Sequence, residues 1–306
     1  MAGSLGASLA SLWALATGVF LVLRLAPGDP AALVLGDLAD EGSRRALRAA
    51  LHLDEPLATQ YLRFLRGLVT ADLGPSLHRP GVGALARVVQ VLPATAGLAA
   101  IGAAFGALGG VTLGVLLAGP WLGALRPWAL RGLVALAAIP LLAFAPLATY
   151  FLAVRARVVP LPGDPAAGAG GLAFASVLLG LPLAVHVARV TRAVLHEASR
   201  APFLTAVRAK GGGEARVWWV HAFPASCAPV VGVVATQLGA LLGGAVVLER
   251  LFERPGLGTL MLESYATRDL PVLEASVVVA GALFVATQAA ASSAHALLDP
   301  RARGGA

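Results

Sequence analysis

Six stretches of this chain contain no Asp, Glu, Lys or Arg: 1–23, 88–125, 132–154, 165–188, 217–248 and 275–298. Each has at least 23 residues, and no other gap between charges reaches 18. A helix crosses a hydrocarbon core of about 30 Å with roughly 20 apolar residues. Backbone groups left unpaired in lipid are so costly that only helices and closed barrels span it. A barrel would show alternating segments of about ten residues, and these runs do not alternate. The reading is therefore an all-α polytopic membrane protein with six transmembrane helices. Composition excludes the competing classes. Charged residues make up 13% of the chain and apolar ones 58%, against about 25% and 45–50% in soluble domains. Disorder, a coiled coil and an ordinary soluble enzyme are ruled out. The single cysteine, Cys227, excludes a disulfide framework and a multi-cysteine metal site. The abundance of Ala, Gly, Leu and Val suits helices that pack through small side chains.

The first run is long enough to span and has no basic residue before it, unlike a cleaved signal peptide, so it is read as a helix over Leu5–Leu25. Six spans put both termini on one side. That side receives the loops at 126–131 and 189–216 and the tail after 298, with ten basic residues to three acidic ones. The opposite loops hold 13 of each. Positive charge stays in the cytoplasm, so both termini and the 192–224 loop are expected there. The 26–87 segment is then external. It opens on the turn cluster Ala26-Pro27-Gly28-Asp29-Pro30, followed by helices expected at Glu41–Leu53 and Pro56–Thr70. The second has Asp54 as its cap and Leu57, Tyr61, Phe64, Leu65 and Leu68 at helical spacing.

Chemistry is excluded by what the spans lack. Intramembrane charge marks ion pathways and proton relays, and here only His186, His221 and His295 lie in the uncharged runs, each near a run's end. Gly211-Gly212-Gly213 lacks the Lys-Ser/Thr of a phosphate loop, and His196-Glu197 is not followed by a second His at zinc-helix spacing. No catalytic, metal or cofactor site is read, and nothing points to nucleic acid. An ion-coupled carrier would need a polar midplane site. A non-transporting scaffold would need no specialised loop. If the chain pumps, another subunit supplies the energy.

The largest cytoplasmic loop carries a specific pattern. Phe203-Leu204-Thr205-Ala206-Val207-Arg208-Ala209-Lys210-Gly211 reads as a short basic helix with small residues on one face and a glycine stop, and His221-Ala222-Phe223-Pro224 follows. By itself this could be a helix lying on acidic lipid. It resembles the cytoplasmic coupling loop of binding-protein-dependent ABC importer permeases, in the dipeptide/oligopeptide/nickel branch. Further fragments match that branch in order and spacing: Leu23–Pro30, Leu51-His52-Leu53-Asp54-Glu55-Pro56-Leu57 with Gln60-Tyr61 (His52 where glycine is usual), Asp72-Leu73-Gly74, Leu92-Pro93-Ala94-Thr95, Gly243–Glu249, Pro255-Gly256-Leu257-Gly258, Arg268-Asp269-Leu270-Pro271 and Leu298-Asp299-Pro300-Arg301.

The resemblance implies that residues 1–306 form a single importer transmembrane domain of the first-permease type in a bacterial inner (cytoplasmic) membrane. It implies a homologous second permease, two cytoplasmic ATPases that bind the ATP and Mg, and an external solute-binding protein delivering a di- or oligopeptide or a nickel complex. Phe203, Ala206, Arg208, Lys210, Gly211, His221 and Pro224 are then expected to couple to the ATPase. Glu249, Pro255, Gly256, Gly258 and Asp269 are expected at the external loop and path mouth. Read from the residues alone, Pro255-Gly256-x-Gly258 is a turn in which glycine supplies positive φ.

Overall fold

The computed structural model describes residues 2–25, 30–35, 40–79 and 81–298; residues 26–29 of the first turn cluster and 299–301 of the last fragment lie outside them. The described residues contain helices and no strand beyond an isolated antiparallel bridge between Pro75 and Gly83. In chain order the helices are α1 Ala2–Leu25, α2 Pro30–Leu35, α3 Glu41–Ala50, α4 Leu57–Thr70, α5 Ala84–Ala118, α6 Arg126–Ala138, α7 Leu141–Thr149, α8 Gly168–Ala198, α9 Pro202–Ala209, α10 Phe223–Ser226, α11 Ala228–Leu251, α12 Leu257–Thr267 and α13 Leu270–Leu298. A π-helical turn, Tyr150–Arg155, continues α7, and another, Arg216–Ala222, leads into α10.

Five of the expected spans are continuous helices: α1, α5, α8, α11 and α13 are long and apolar enough to cross a membrane. The third, 132–154, is broken. The segments on either side of Ile139-Pro140 meet at 110°, because Pro140 holds an extended backbone (φ −60°, ψ 143°) and supplies no amide to α6. The fifth run, 217–248, is longer than its span, since its first residues fold into the π-turn and α10 before α11 starts.

The chain divides into two compact units, Met1–Thr95 with Pro255–Val285 and Ala96–Arg254 with Ala286–Ala306. In the second, α8 is largely enclosed, packing on α5, α7 and α11 around Leu98, Leu178, Leu179, Leu183, Val187, Leu241 and Leu248. Lipid offers no hydrophobic drive for helices to associate, so close backbone approach carries the packing. Gly102, Gly106, Gly110 and Gly114 of α5 make that approach: a Cβ on the last three would come within 2.8 Å of carbonyls of Gly180, Ala184 and Ala188 on α8. In the first unit, Phe20 of α1 stacks against Tyr61 and Phe64 of α4 at 5.3 and 5.5 Å. A second cluster joins α5, α12 and α13 through Val88, Leu257, Leu260 and Val272.

The helix expected at Glu41–Leu53 ends at Ala50. Asp40 caps its start, accepting from the amides of Gly42 and Ser43. Asp54 does not cap α4 as expected; Arg48 takes its carboxylate at 2.8 Å, and α4 begins after Pro56 with no side-chain cap. His52 sits at φ +54°, the left-handed region that glycine enters without strain.

Candidate functional site

α9 is eight residues long and starts on Pro202, whose fixed φ and missing amide suit a first helical position. Leu204 is its anchor. It is fully buried among Val115, Leu195, Val217, Trp218 and Ala222. Val207 packs partly against the same cluster, while Phe203, Thr205, Ala206, Ala209 and Lys210 are exposed and Arg208 is half-buried. Gly211, at φ +80°, ends it, and the amide of Gly212 returns to the Val207 carbonyl at 3.0 Å. A side chain at Gly212 would meet that carbonyl at 2.8 Å. The structure thus brings Phe203, Ala206, Arg208, Lys210 and Gly211 into one compact protrusion, with His221 half-buried in the following π-turn and Pro224 exposed on α10.

Sequence reasoning missed what holds this protrusion in place. The Arg208 guanidinium donates to Glu214 through Nε at 2.9 Å and through a terminal nitrogen at 3.3 Å. The indole N–H of buried Trp218 donates to the same carboxylate at 2.8 Å. Chiefly through the Arg208 bond, and then that of Trp218, the Glu214 carboxyl is held below its ordinary value. The signal in the sequence was the spacing: Arg208, Glu214 and Trp218 flank a glycine turn that folds the chain back.

A second cluster lies in the first unit. Asp269, between α12 and α13, is fully buried. Its carboxylate accepts from the Ser76 hydroxyl at 2.5 Å, the Leu77 amide at 3.1 Å and the Arg87 guanidinium at 3.4 Å. The loop bearing Ser76 is closed by two backbone bonds, Ser76 to Val82 and Ala84 to Gly74, each 2.9 Å. Fragments that the sequence shows far apart therefore pair in space. Leu73 of the Asp72-Leu73-Gly74 segment packs against the cluster holding Leu257, Leu260 and Val272, and the Ser76 loop that follows it meets Asp269. The Thr95 hydroxyl of Leu92–Thr95 accepts from the Leu257 amide at the start of α12, at 2.8 Å. Arg24 at the end of α1 donates to Gln60 of α4 and to Glu274 of α13, both at 2.9 Å. Of that last set, Glu274 was not anticipated.

The remaining external-loop residues behave differently from expectation. Gly256 has φ 179°, extended backbone open to any residue, and Gly258 is buried in the first turn of α12. The bend at 255–258 therefore does not use positive φ; the left-handed residue nearby is Glu253, at φ +49°. Glu249 is only 1% exposed in the last turn of α11. Among the described residues no group of His, Cys, Asp or Glu is arranged to hold a metal.

The family model described as binding-protein-dependent transport system inner membrane component matches residues 110–304, and its N-terminal companion matches 3–81. The chain belongs to this family. It is a permease subunit of an ABC importer. Among similar proteins, a probable peptide ABC transporter permease, y4tP, of Sinorhizobium fredii is 30% identical over 293 residues, covering 93% of each chain. A putative peptide transport system permease of Brucella abortus is 33% identical over 297 residues, covering 93% of this chain and 92% of its own. The dipeptide transport system permease DppB of Alkalihalophilus pseudofirmus is 29% identical over 313 residues, with 92% of each covered. Among solved structures, a chain of the inward-facing MetNI methionine ABC transporter superposes with a TM-score of 0.57 at 19% identity, over 69% of this chain and 96% of its own. That likeness concerns the fold.

Proposed function

We propose that residues 1–306 act as one transmembrane domain of an ATP-driven peptide importer. It works in a bacterial inner membrane with a homologous second permease, two cytoplasmic ATPases that hold the ATP and Mg, and an external solute-binding protein. Both termini and the α9 protrusion face the cytoplasm. The peptide class is supported by the relatives, which include permeases of peptide and dipeptide transport systems. Family membership argues against an ion-coupled carrier or an inert scaffold. Glu249, Pro255, Gly256, Gly258 and Asp269 belong to the outer end of the path. The two carboxylates are buried, so their part there is to fix the segments that shape the mouth.

The observation carrying this reading is α9: a short helix anchored by one leucine, with Phe203, Ala206 and Lys210 presented outward. Such a surface fits a groove in an ATPase, with Arg208, Gly211, His221 and Pro224 belonging to the same coupling unit. Ala206→Glu would place an unpaired carboxylate in that contact. Gly211→Val would oppose the left-handed exit. Misfitting a central interface residue costs about 2 kcal/mol or more, roughly thirtyfold in affinity. Both variants should insert at normal abundance while peptide uptake and co-purification of the ATPases fall together. Full uptake and full ATPase association in both variants would leave α9 as a surface helix only.

A further inference from the structure

We propose that the pocket at the break between α6 and α7 is a subsite for the carboxylate end of a short peptide, an inference that rests on the reading of this chain as a peptide permease. Non-helical backbone at membrane depth is tolerated only where it is buried in protein or lines a water-filled cavity. The break at Ile139-Pro140 borders a cavity of about 190 Å³ that Ile139 helps to line. Most of its wall is aliphatic or aromatic, from Leu136, Leu141, Phe144 and Val185. Three side chains are not: His186 and Arg189, both exposed on one face of α8 toward its cytoplasmic end, and half-buried Gln237 of α11. Among the described residues none of these three has a hydrogen-bond or ion-pair partner, and no Asp or Glu lines the pocket.

An apolar concavity with a few convergent polar groups is the usual form of a ligand site. Here the polar groups select an anion. A guanidinium presents a planar fork that matches a carboxylate at two points, and the Gln237 amide and the imidazole add further donors. The cavity is smaller than a typical drug-sized site of roughly 300–1,000 Å³. It has room for a carboxylate and the carbons beside it, not for a whole peptide. A subsite of this kind reads the terminus that all free peptides share, while the aliphatic wall accepts varied last side chains.

The test uses the complete transporter in membrane vesicles, with Cys227→Ser and Ala137→Cys in this chain; Ala137 is an exposed lining residue. The thiol's reaction rates with a small anionic (sulfonate) and a small cationic (ammonium) methanethiosulfonate are compared. Relative to the ratio of the two reagents with a small free thiol, the anionic reagent should be favoured about tenfold, a bias that a single nearby cation supplies readily. Adding Arg189→Gln should bring the ratio close to one. Trialanine should slow labelling severalfold and trialanine amide should not. A ratio that Arg189→Gln leaves unchanged overturns the site, as does equal protection by the acid and the amide. Protection by phosphatidylglycerol vesicles but not by trialanine assigns the pocket to lipid and overturns the proposal too. Retention of the charge bias with neither protection nor uptake of any peptide would instead count against the peptide reading of the chain, because the bias requires no transport.

Discussion

A methyl group at Gly110 would lie 2.6 Å from the Cβ of Val187 and 2.7 Å from the Ala184 carbonyl, whereas one at Gly109 would meet nothing within 4 Å. The two positions are adjacent, equal in composition and opposite in consequence. Gly110→Ala forces α5 and α8 apart, and overpacking of this kind costs about 1–3 kcal/mol. Gly109→Ala should be neutral or stabilise by up to about 1 kcal/mol, through helix propensity alone. Thermal unfolding of the detergent-solubilised protein, followed by tryptophan fluorescence, should show Gly110→Ala melting well below the parent and Gly109→Ala at or above it. Equal melting points would mean that the glycine stripe is not the contact. At this scale the sequence was half legible. The preference for small residues was evident from composition, and the four-residue recurrence at Gly102, Gly106, Gly110 and Gly114 was there to be read. Its partner helix was not, because sequence spacing identifies a face without saying what lies against it.

α9 is an element whose placement depends on three side chains outside its own anchor. Removing the Glu214 carboxylate separates two roles. Glu214→Gln keeps an acceptor for the Trp218 indole and loses only a part-exposed ion pair, worth about 0–1 kcal/mol. Glu214→Leu leaves the N–H of a 5% exposed indole without its acceptor, a loss of about 1–3 kcal/mol. The first should nearly preserve stability and uptake, and the second should lower both. The pH dependence follows from the lowered carboxyl. Folding binds the deprotonated form more favourably, so the contribution is complete above the ordinary carboxylate range and disappears as pH falls through the depressed value. The stability gap between the parent and Glu214→Gln should be constant from neutral down to about pH 5 and close in more acidic buffer; a gap that widens on acidification would contradict the assigned pairing. The long helices, α3, α4 and α9 were legible, since hydropathy runs, helical spacing and the glycine at 211 carry strong local signals, whereas the short α2 and α10 and the external α12 were not anticipated. Element breaks were not. The turn at Ile139-Pro140 lies inside an uninterrupted apolar run, and Asp54 looked like a cap because its rival partner, Arg48, lies six residues away on another helix.

Whether the α6–α7 pair crosses the membrane once or dips in and returns decides the topology of the whole molecule. Between Thr70 and Gly213 lie α5, the bent pair and α8. If the pair crosses, three passages separate these residues and they face opposite sides. If it is re-entrant, only two do and they face the same side. The arginine count favours the first arrangement, because loops with ten basic and three acidic residues and loops with 13 of each sort cleanly only when the pair crosses. Thr70 and Gly213 are both exposed, and a side chain at Gly213 meets nothing within 4 Å. Ser76, in the same segment as Thr70, is only 4% exposed and bonded to Asp269, so a probe there would disturb the fold it reports on. With Cys227→Ser as background, Thr70→Cys should react with an impermeant maleimide added to intact cells, and Gly213→Cys should react only after the membrane is opened. Labelling of both from outside, or of neither, would make α6–α7 a re-entrant pair and place the termini on opposite sides. Reversed labelling would keep the six passages but turn the protein over, putting α9 where no cytoplasmic ATPase can reach it.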